Sequence, residues 1–252
     1  MYYKCYIKDN SSSGKKLKKQ PEFIEKAIDF VAPLMNRLNT KLDKRLTYTV
    51  FDSFMGMLSF RDRINGLLLS ELGAYINGPD RAPAGTKRIS NLLRDKNWTH
   101  DDVAEILLEK AKTRLNDPSL VGKQWLMHWD DSVIEKPESW KIEGLGPVCS
   151  SKASRLTRIK PGYYKKYGRI SVPGFEWSAG VLSSLSDTPT IGLMEWWTRK
   201  GKHKETRNNI LYKMLRKSSA MIKETAAEVI HVFDRGYACL LYTSDAADEW
   251  LR

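Results

Sequence analysis

Between Pro21 and Asn116 the apolar residues recur at the period of a helix. In the first stretch Phe23, Ile24, Ala27, Phe30, Val31 and Leu34 return at intervals of three and four, which lines one helical face. Pro33 offers a point where this helix kinks or divides. Further apolar stretches run from Tyr48 to Leu58 and from Ile64 to Ile76. The run NGPDRAPAG, residues 77–85, has the Gly and Pro content of a loop. In GTKRISNLLRDKNW, basic Lys87, Arg88, Arg94 and Lys96 surround Ile89, Leu92 and Leu93. Thr99 and Asp102 then have capping-box spacing and open a helix that runs to about Leu115. Its apolar side is Val103, Ile106, Leu107 and Ala111, and Asn116-Asp117-Pro118 ends it. No internal repeat is visible.

After Pro118 the period changes. KQWLMHWDDS (123–132) reads as a buried strand ending in acids. A long polar stretch follows, 136–170, rich in Gly, Ser, Lys and Tyr. GFEWSAGVLSS (174–184) and TIGLMEWW (190–197) are strand-like and separated by a turn. Over 205–226, Ile210, Leu211, Met214, Leu215, Met221 and Ile222 share one face of a helix. EVIHVFD (228–234) is a short strand that again ends in an acid. Three strands, a helix and a further strand are how a ribonuclease-H-like α/β domain begins, with its first and fourth strands side by side. The expected fold class is therefore α/β, an incomplete ribonuclease-H-like catalytic domain preceded by an all-α N-terminal domain.

Composition narrows the classes. A chain of 252 residues with 41% hydrophobic and 29% charged residues is globular rather than fibrous. No apolar run spans a bilayer, so no membrane association is expected, and MYYKCYIKDN has no apolar signal stretch. Cys5, Cys149 and Cys239 lie far apart without a CxxC, which disfavours a disulfide scaffold or a zinc module. The charge adds most: 42 Lys+Arg against 30 Asp+Glu, a net +12, favours a polyanionic partner. Residues 1–20, with SSSGKKLKKQ, read as a flexible basic arm. Two more basic clusters, 141–172 and 199–217, each hold eight Lys+Arg against one acid. In the first, Tyr163, Tyr164 and Tyr167 could stack on or bond to nucleic acid, against the alternative of a solvated loop.

Acids at the ends of adjacent strands suit Mg²⁺, which takes one or two protein carboxylates and completes its shell with water and phosphate oxygens. By spacing alone, acids that merely cap strand ends fit equally. Glu195 reads as an exposed strand residue rather than a ligand, Trp196 and Trp197 as core and sheet packing rather than base-stacking groups, and His128 and His231 as packed histidines.

LMHWDDSV (126–133), TIGLMEWWTRKG (190–201) and VIHVFDRGYA (229–238) resemble, in order, the blocks of cut-and-paste DDE transposases of bacterial insertion sequences. The insertion-sequence-four type is the most similar group. The resemblance covers about 125–238 and, more faintly, the helical part, where GTKRISNLLRD suits a DNA-binding region. It implies a helical DNA-binding domain at 21–120 and a partial catalytic domain at 121–238 carrying a basic insertion at 136–170. It implies Asp131 as the first catalytic acid and metal ligand, because it precedes Ser132, with Asp130 as the fallback, and Asp234 as the second. It also implies Mg²⁺, two ions in a complete enzyme, with Mn²⁺ able to substitute. Partners would be double-stranded DNA, both terminal inverted repeats and target DNA, met by a homodimer on paired ends in the bacterial cytoplasm. DNA contacts are expected from Lys87, Arg88, Arg94, Lys96, Arg155, Arg158, Lys160, Lys165, Lys166 and Arg235.

The pattern also departs from the family. The third acid, a Glu in a Tyr-Arg-x-x-x-Glu signature, is absent from the 18 residues after Asp234. CLLYTSDAADE (239–249) resembles the translation of a sequencing-library adapter, so 239–252 is expected to be foreign to the protein. The leading expectation is an inactive fragment of a transposase. The alternatives are a non-catalytic DNA-binding regulator or pseudogene product, and a ribonuclease-H-like nuclease unrelated to transposition.

Overall fold

The computed structural model describes residues 21–59, 68–120, 122–137, 139, 141–149, 162–166, 169–185, 188–234 and 237. The basic arm, most of the basic insertion and the adapter-like end lie outside these residues. The chain divides into two compact units, with the boundary between Ile106 and Leu107.

The described part of the first unit is all helical: α1 (Pro21–Leu38), α2 (Lys44–Ser59), α3 (Leu69–Asn77), α4 (Ala82–Arg94) and the start of α5 (His100–Leu115). The three-and-four spacing of α1 buries Ala27, Val31 and Met35 against Phe51 and Met55 of α2. Pro33 stays exposed and does not divide α1, which continues to Leu38. Asp43 starts α2 by accepting from the Leu46 N–H at 3.0 Å, an N-cap bond. The expected loop at 77–85 is shorter than its composition suggests. Gly78 turns the chain at φ 87°, Pro79–Arg81 make one 3-10 turn, and α4 begins at Ala82 with Pro83 in its first turn. Proline is tolerated there because first-turn N–H groups have no intrahelical partner. At the start of α5 the Thr99 N–H donates to Asp102 Oδ2 at 3.0 Å, and Thr99 Oγ1 accepts from the Asp101 N–H at 3.2 Å.

In the second unit, a mixed sheet carries helices, so the chain as a whole is α/β. Its described strands are β1 (Trp125–Glu135), β2 (Gly146–Cys149), β3 (Tyr164–Lys166), β4 (Arg169–Ser184), β5 (Thr190–Trp197) and β6 (Val229–Phe233), with α6 (Arg207–Lys223) between the last two. β1, β4 and β5 form an antiparallel meander, and β6 returns parallel to β1 on its other edge. The first and fourth long strands thus lie side by side, as the element order predicts. β2 and β3 pair with the first residues of β4, which begins five residues earlier than its apolar run. The helix-covered face of the sheet buries Trp125, Met127, Trp129, Leu182, Leu193 and Trp197 against Ile210, Leu211, Met214 and Met221 of α6.

Candidate active site

β1 does not stop at its acids. It stays paired with β4 as far as Glu135↔Gly174, so Asp130 and Asp131 lie within the strand. The shorter β6 ends beside them, its last pair being Trp129↔Phe233. Because side chains alternate along a strand, Asp130 and Asp131 go to opposite faces.

Asp131 follows Trp125, Met127 and Trp129 onto the face that α6 covers. The Ser178 hydroxyl donates to its Oδ1, and Arg207 Nε donates to its Oδ2 at 2.5 Å. Ser178 Oγ in turn accepts from the Trp197 indole N–H at 3.1 Å. The Tyr237 hydroxyl also hydrogen-bonds to Asp131, and the Arg207 guanidinium lies over the Tyr237 ring, 4.2 Å from its centre. Burial, then the Asp131 carboxylate, pushes the Tyr237 phenol above its ordinary value. For Arg207, burial works against the charge, but the bond to Asp131, its negative charge and the contact with Tyr237 together outweigh it and raise the guanidinium further. Both Asp131 oxygens are therefore already engaged, one of them by a cation.

Asp130 and Asp234 are exposed. The β1–β6 pairing ends at Trp129↔Phe233, and Asp234 is the next residue, just beyond β6. Among the described residues no three metal-ligating side chains converge. The donor set thus fits a cation in part: one or two carboxylates are a sufficient protein share for Mg²⁺, and acids stand within β1 and directly after β6. Asp131 pairs its charge with Arg207, and each of its oxygens keeps a further acceptor site beside the bond it makes.

The histidines are packed, as expected. His128 Nε2 lies 2.9 Å from Ser183 Oγ. His231 Nδ1 accepts from the Trp129 indole at 2.9 Å, and burial holds its imidazole below the ordinary value. Trp197 is buried, while Trp196 stacks on Trp177 at 5.8 Å and is half-exposed. Glu195 corrects the reading of an exposed strand residue. It is buried, with Oε2 accepting from Lys213 at 3.1 Å and Oε1 from Lys217 at 2.7 Å, both on α6. The signal was present: lysines four apart on one helix face opposite an acid at a buried alternation position.

Among the basic candidates, Lys87, Arg94 and Lys96 are exposed on and after α4. Arg88 is engaged within its own unit. Its Nη1 donates to Asn77 Oδ1 at 3.0 Å, and Nη2 to Thr49 Oγ1 at 3.2 Å and Asp52 Oδ2 at 3.4 Å. Lys165 and Lys166 are on β3, whose backbone alone is described. Arg155, Arg158, Lys160 and Arg235 lie outside the described residues. Tyr163 of the insertion donates to Glu135 Oε2 at 2.9 Å, which ties it to β1.

No protein-family model matches the sequence, and no curated protein matches it. Among solved structures, the chain is similar to the Mos1 strand transfer complex, at 14% identity and a TM-score of 0.23. It is also similar to the mariner Mos1 paired end complex with Mg, at 13% identity and a TM-score of 0.22. Each likeness covers 79% of this chain, and the chain spans about half, 55%, of the length of each of those proteins.

Proposed function

We propose that this chain is part of a DDE transposase of the insertion-sequence-four type, with a ribonuclease-H-like catalytic domain. One observation carries the reading. The order β5-β4-β1-β6, with β6 parallel to β1, sets the acid pair of β1 beside the end of β6, which Asp234 follows, over a hundred residues on in sequence. A carboxylate of the Asp130-Asp131 pair and Asp234 form the protein's share of the metal site. When bound, Mg²⁺ ions in such a site activate a water or 3′-hydroxyl and stabilise the leaving oxygen of an in-line displacement at phosphorus. The helical unit binds element-end DNA, with Lys87, Arg94 and Lys96 of and beyond α4 toward phosphates, and two protomers hold paired ends.

The test is Mg²⁺-dependent cleavage of a duplex carrying the element's terminal repeats. We expect no cleavage by the 252-residue chain. Cleavage should appear when the segment with the Tyr-Arg-x-x-x-Glu signature is added, and should fall to background in that longer chain with Asp234→Ala. Cleavage that survives Asp234→Ala sinks the catalytic reading. DNA binding without cleavage by the longer chain would favour the regulator instead.

A further inference from the structure

We infer that Trp197 and Ser178 are positioning residues, which between them aim the Asp131 carboxylate at the metal. The inference rests on the metal-dependent reading above and deepens it at the acid pair of β1. It starts from register. Asp131 of β1 pairs with Ser178 of β4, and Ser178 pairs with Glu195 of β5, so the three strands meet in one row across the sheet. Trp197 lies two residues beyond Glu195 and therefore on the same, helix-covered face. There the Trp197 indole N–H donates to Ser178 Oγ at 3.1 Å, and the Ser178 hydroxyl donates to Asp131 Oδ1. Trp197 and Ser178 are 4% and 5% exposed, so little water competes for the bond between them.

The direction of this chain of bonds follows from what each group can do. An indole N–H only donates and an ionised carboxylate only accepts, whereas a hydroxyl has one hydrogen and does both. With its oxygen accepting from Trp197, Ser178 has its one hydrogen left for Asp131, and the hydroxyl is set. Trp197 serves as the fixed end because its ring is itself held. It belongs to the buried cluster beneath α6, and the Arg199 guanidinium lies over it, 5.5 Å from the ring centre. Glu176, opposite Trp197 in the register, accepts from that guanidinium twice, at 3.0 Å and 2.9 Å. Arg207 meanwhile holds the second oxygen of Asp131. The carboxylate is thus fixed at both oxygens, and the acceptor sites left on them are held in one orientation for the cation. Partners that orient a ligand in this way typically change metal affinity by about 10–100-fold when lost.

Two measurements on the 252-residue chain test this, and one needs no metal. The first is hydrogen exchange at the Trp197 indole N–H, followed by heteronuclear NMR on the signal that Trp197→Phe removes. Ser178→Ala should speed it about fivefold, the worth of one hydrogen bond. Unchanged exchange in Ser178→Ala overturns the inference. The second is Mn²⁺ titration followed by the electron paramagnetic resonance of the free ion. Ser178→Ala should bind about tenfold more weakly than the parent. Trp197→Phe, which keeps a ring but loses the donor, should bind about threefold more weakly, and should change nothing further in the Ser178→Ala background. A smaller ring that merely loosened the core would weaken binding in both backgrounds alike, so equal effects in the two overturn the inference. Parental binding in Ser178→Ala overturns it as well and leaves the metal-dependent reading standing. Parental binding in Asp131→Asn removes that carboxylate from the metal and the inference with it. No saturable binding by the parent chain overturns both the inference and the metal-dependent reading.

Discussion

Glu195 shows how one buried charge can organise its surroundings. Its carboxylate lies at the sheet–helix interface, with 7% of the side chain exposed, and takes one lysine on each oxygen. Burial alone would raise its titration, but the bonds from Lys217 and Lys213 outweigh burial and hold it below the ordinary 4.5. A carboxyl whose folded-state value is depressed contributes stability that is fully present above the unfolded value, and that is lost as pH falls through the folded value. Glu195→Gln should therefore cost about 1–2 kcal/mol at neutral pH, the scale of hydrogen bonds to a charged group. The difference from the parent should shrink below pH 4.5. Urea unfolding of both proteins at pH 7 and in mild acid checks this. A difference that stays constant across that range means the ion pairs contribute nothing beyond shape.

At the scale of elements, α3 and α4 approach so closely that ordinary helix propensity changes sign. Replacing a helical glycine by alanine normally gains about 1 kcal/mol. At Gly85, however, a methyl group would stand 2.7 Å from the Gly73 Cα and closer still to the Gly73 carbonyl, all of it backbone that cannot swing aside. Gly85→Ala should thus destabilise the helical unit by about 1–3 kcal/mol, the cost of overpacking. A higher urea midpoint in that variant would show that the two helices are not held in contact. The same pair of helices marks what the sequence could and could not reveal. The three-and-four period of α1 and α6, the alternation in β1 and β6 and the Thr99–Asp102 cap are local patterns, and they could be read from neighbouring residues alone. The start of α4 could not, because Pro83 signals a loop unless it is known to fall in a helix's first turn. The length of β1 depends on β4, forty residues away, continuing to pair with it. The engagement of Arg88 depends on Asp52 and Asn77 from two other helices, so the run of basic residues around it gave no sign of which ones turn inward. For the candidate site, the three blocks were legible in the sequence. The faces of β1 that Asp130 and Asp131 take were not, because they depend on where the strand begins and how far it pairs.

Across the whole molecule the positive charge is unevenly spread. Residues 21–106 carry twelve Lys+Arg and twelve Asp+Glu, so the helical unit apart from the arm is neutral in sum. The surplus sits in residues 1–20, with six lysines against one acid, and in the second unit, where 141–172 and 199–217 hold most of it. A neutral unit can still present a basic helix. α4 has Lys87, Arg88 and Arg94 and no acid, but with Arg88 turned to Asp52 the charge it can offer outward falls to two residues. If DNA is the partner, most of the salt dependence of binding must therefore come from the arm and the two clusters of the second unit. Each phosphate neutralised by a lysine contributes about −0.9 to the slope of log affinity against log salt concentration on duplex DNA. Replacing Lys15, Lys16, Lys18 and Lys19 together by glutamine should then flatten that slope by about 3–4. Lys87→Gln should flatten it by about 1. Arg88→Gln should instead lower the melting temperature while leaving the slope as it was. Titration of a fluorescent duplex from low to moderate salt separates these cases. A slope unaffected by the four arm substitutions would place the DNA contacts elsewhere in the chain. A slope reduced by Arg88→Gln, with the fold intact, would show that the guanidinium leaves Asp52 for a phosphate when DNA arrives.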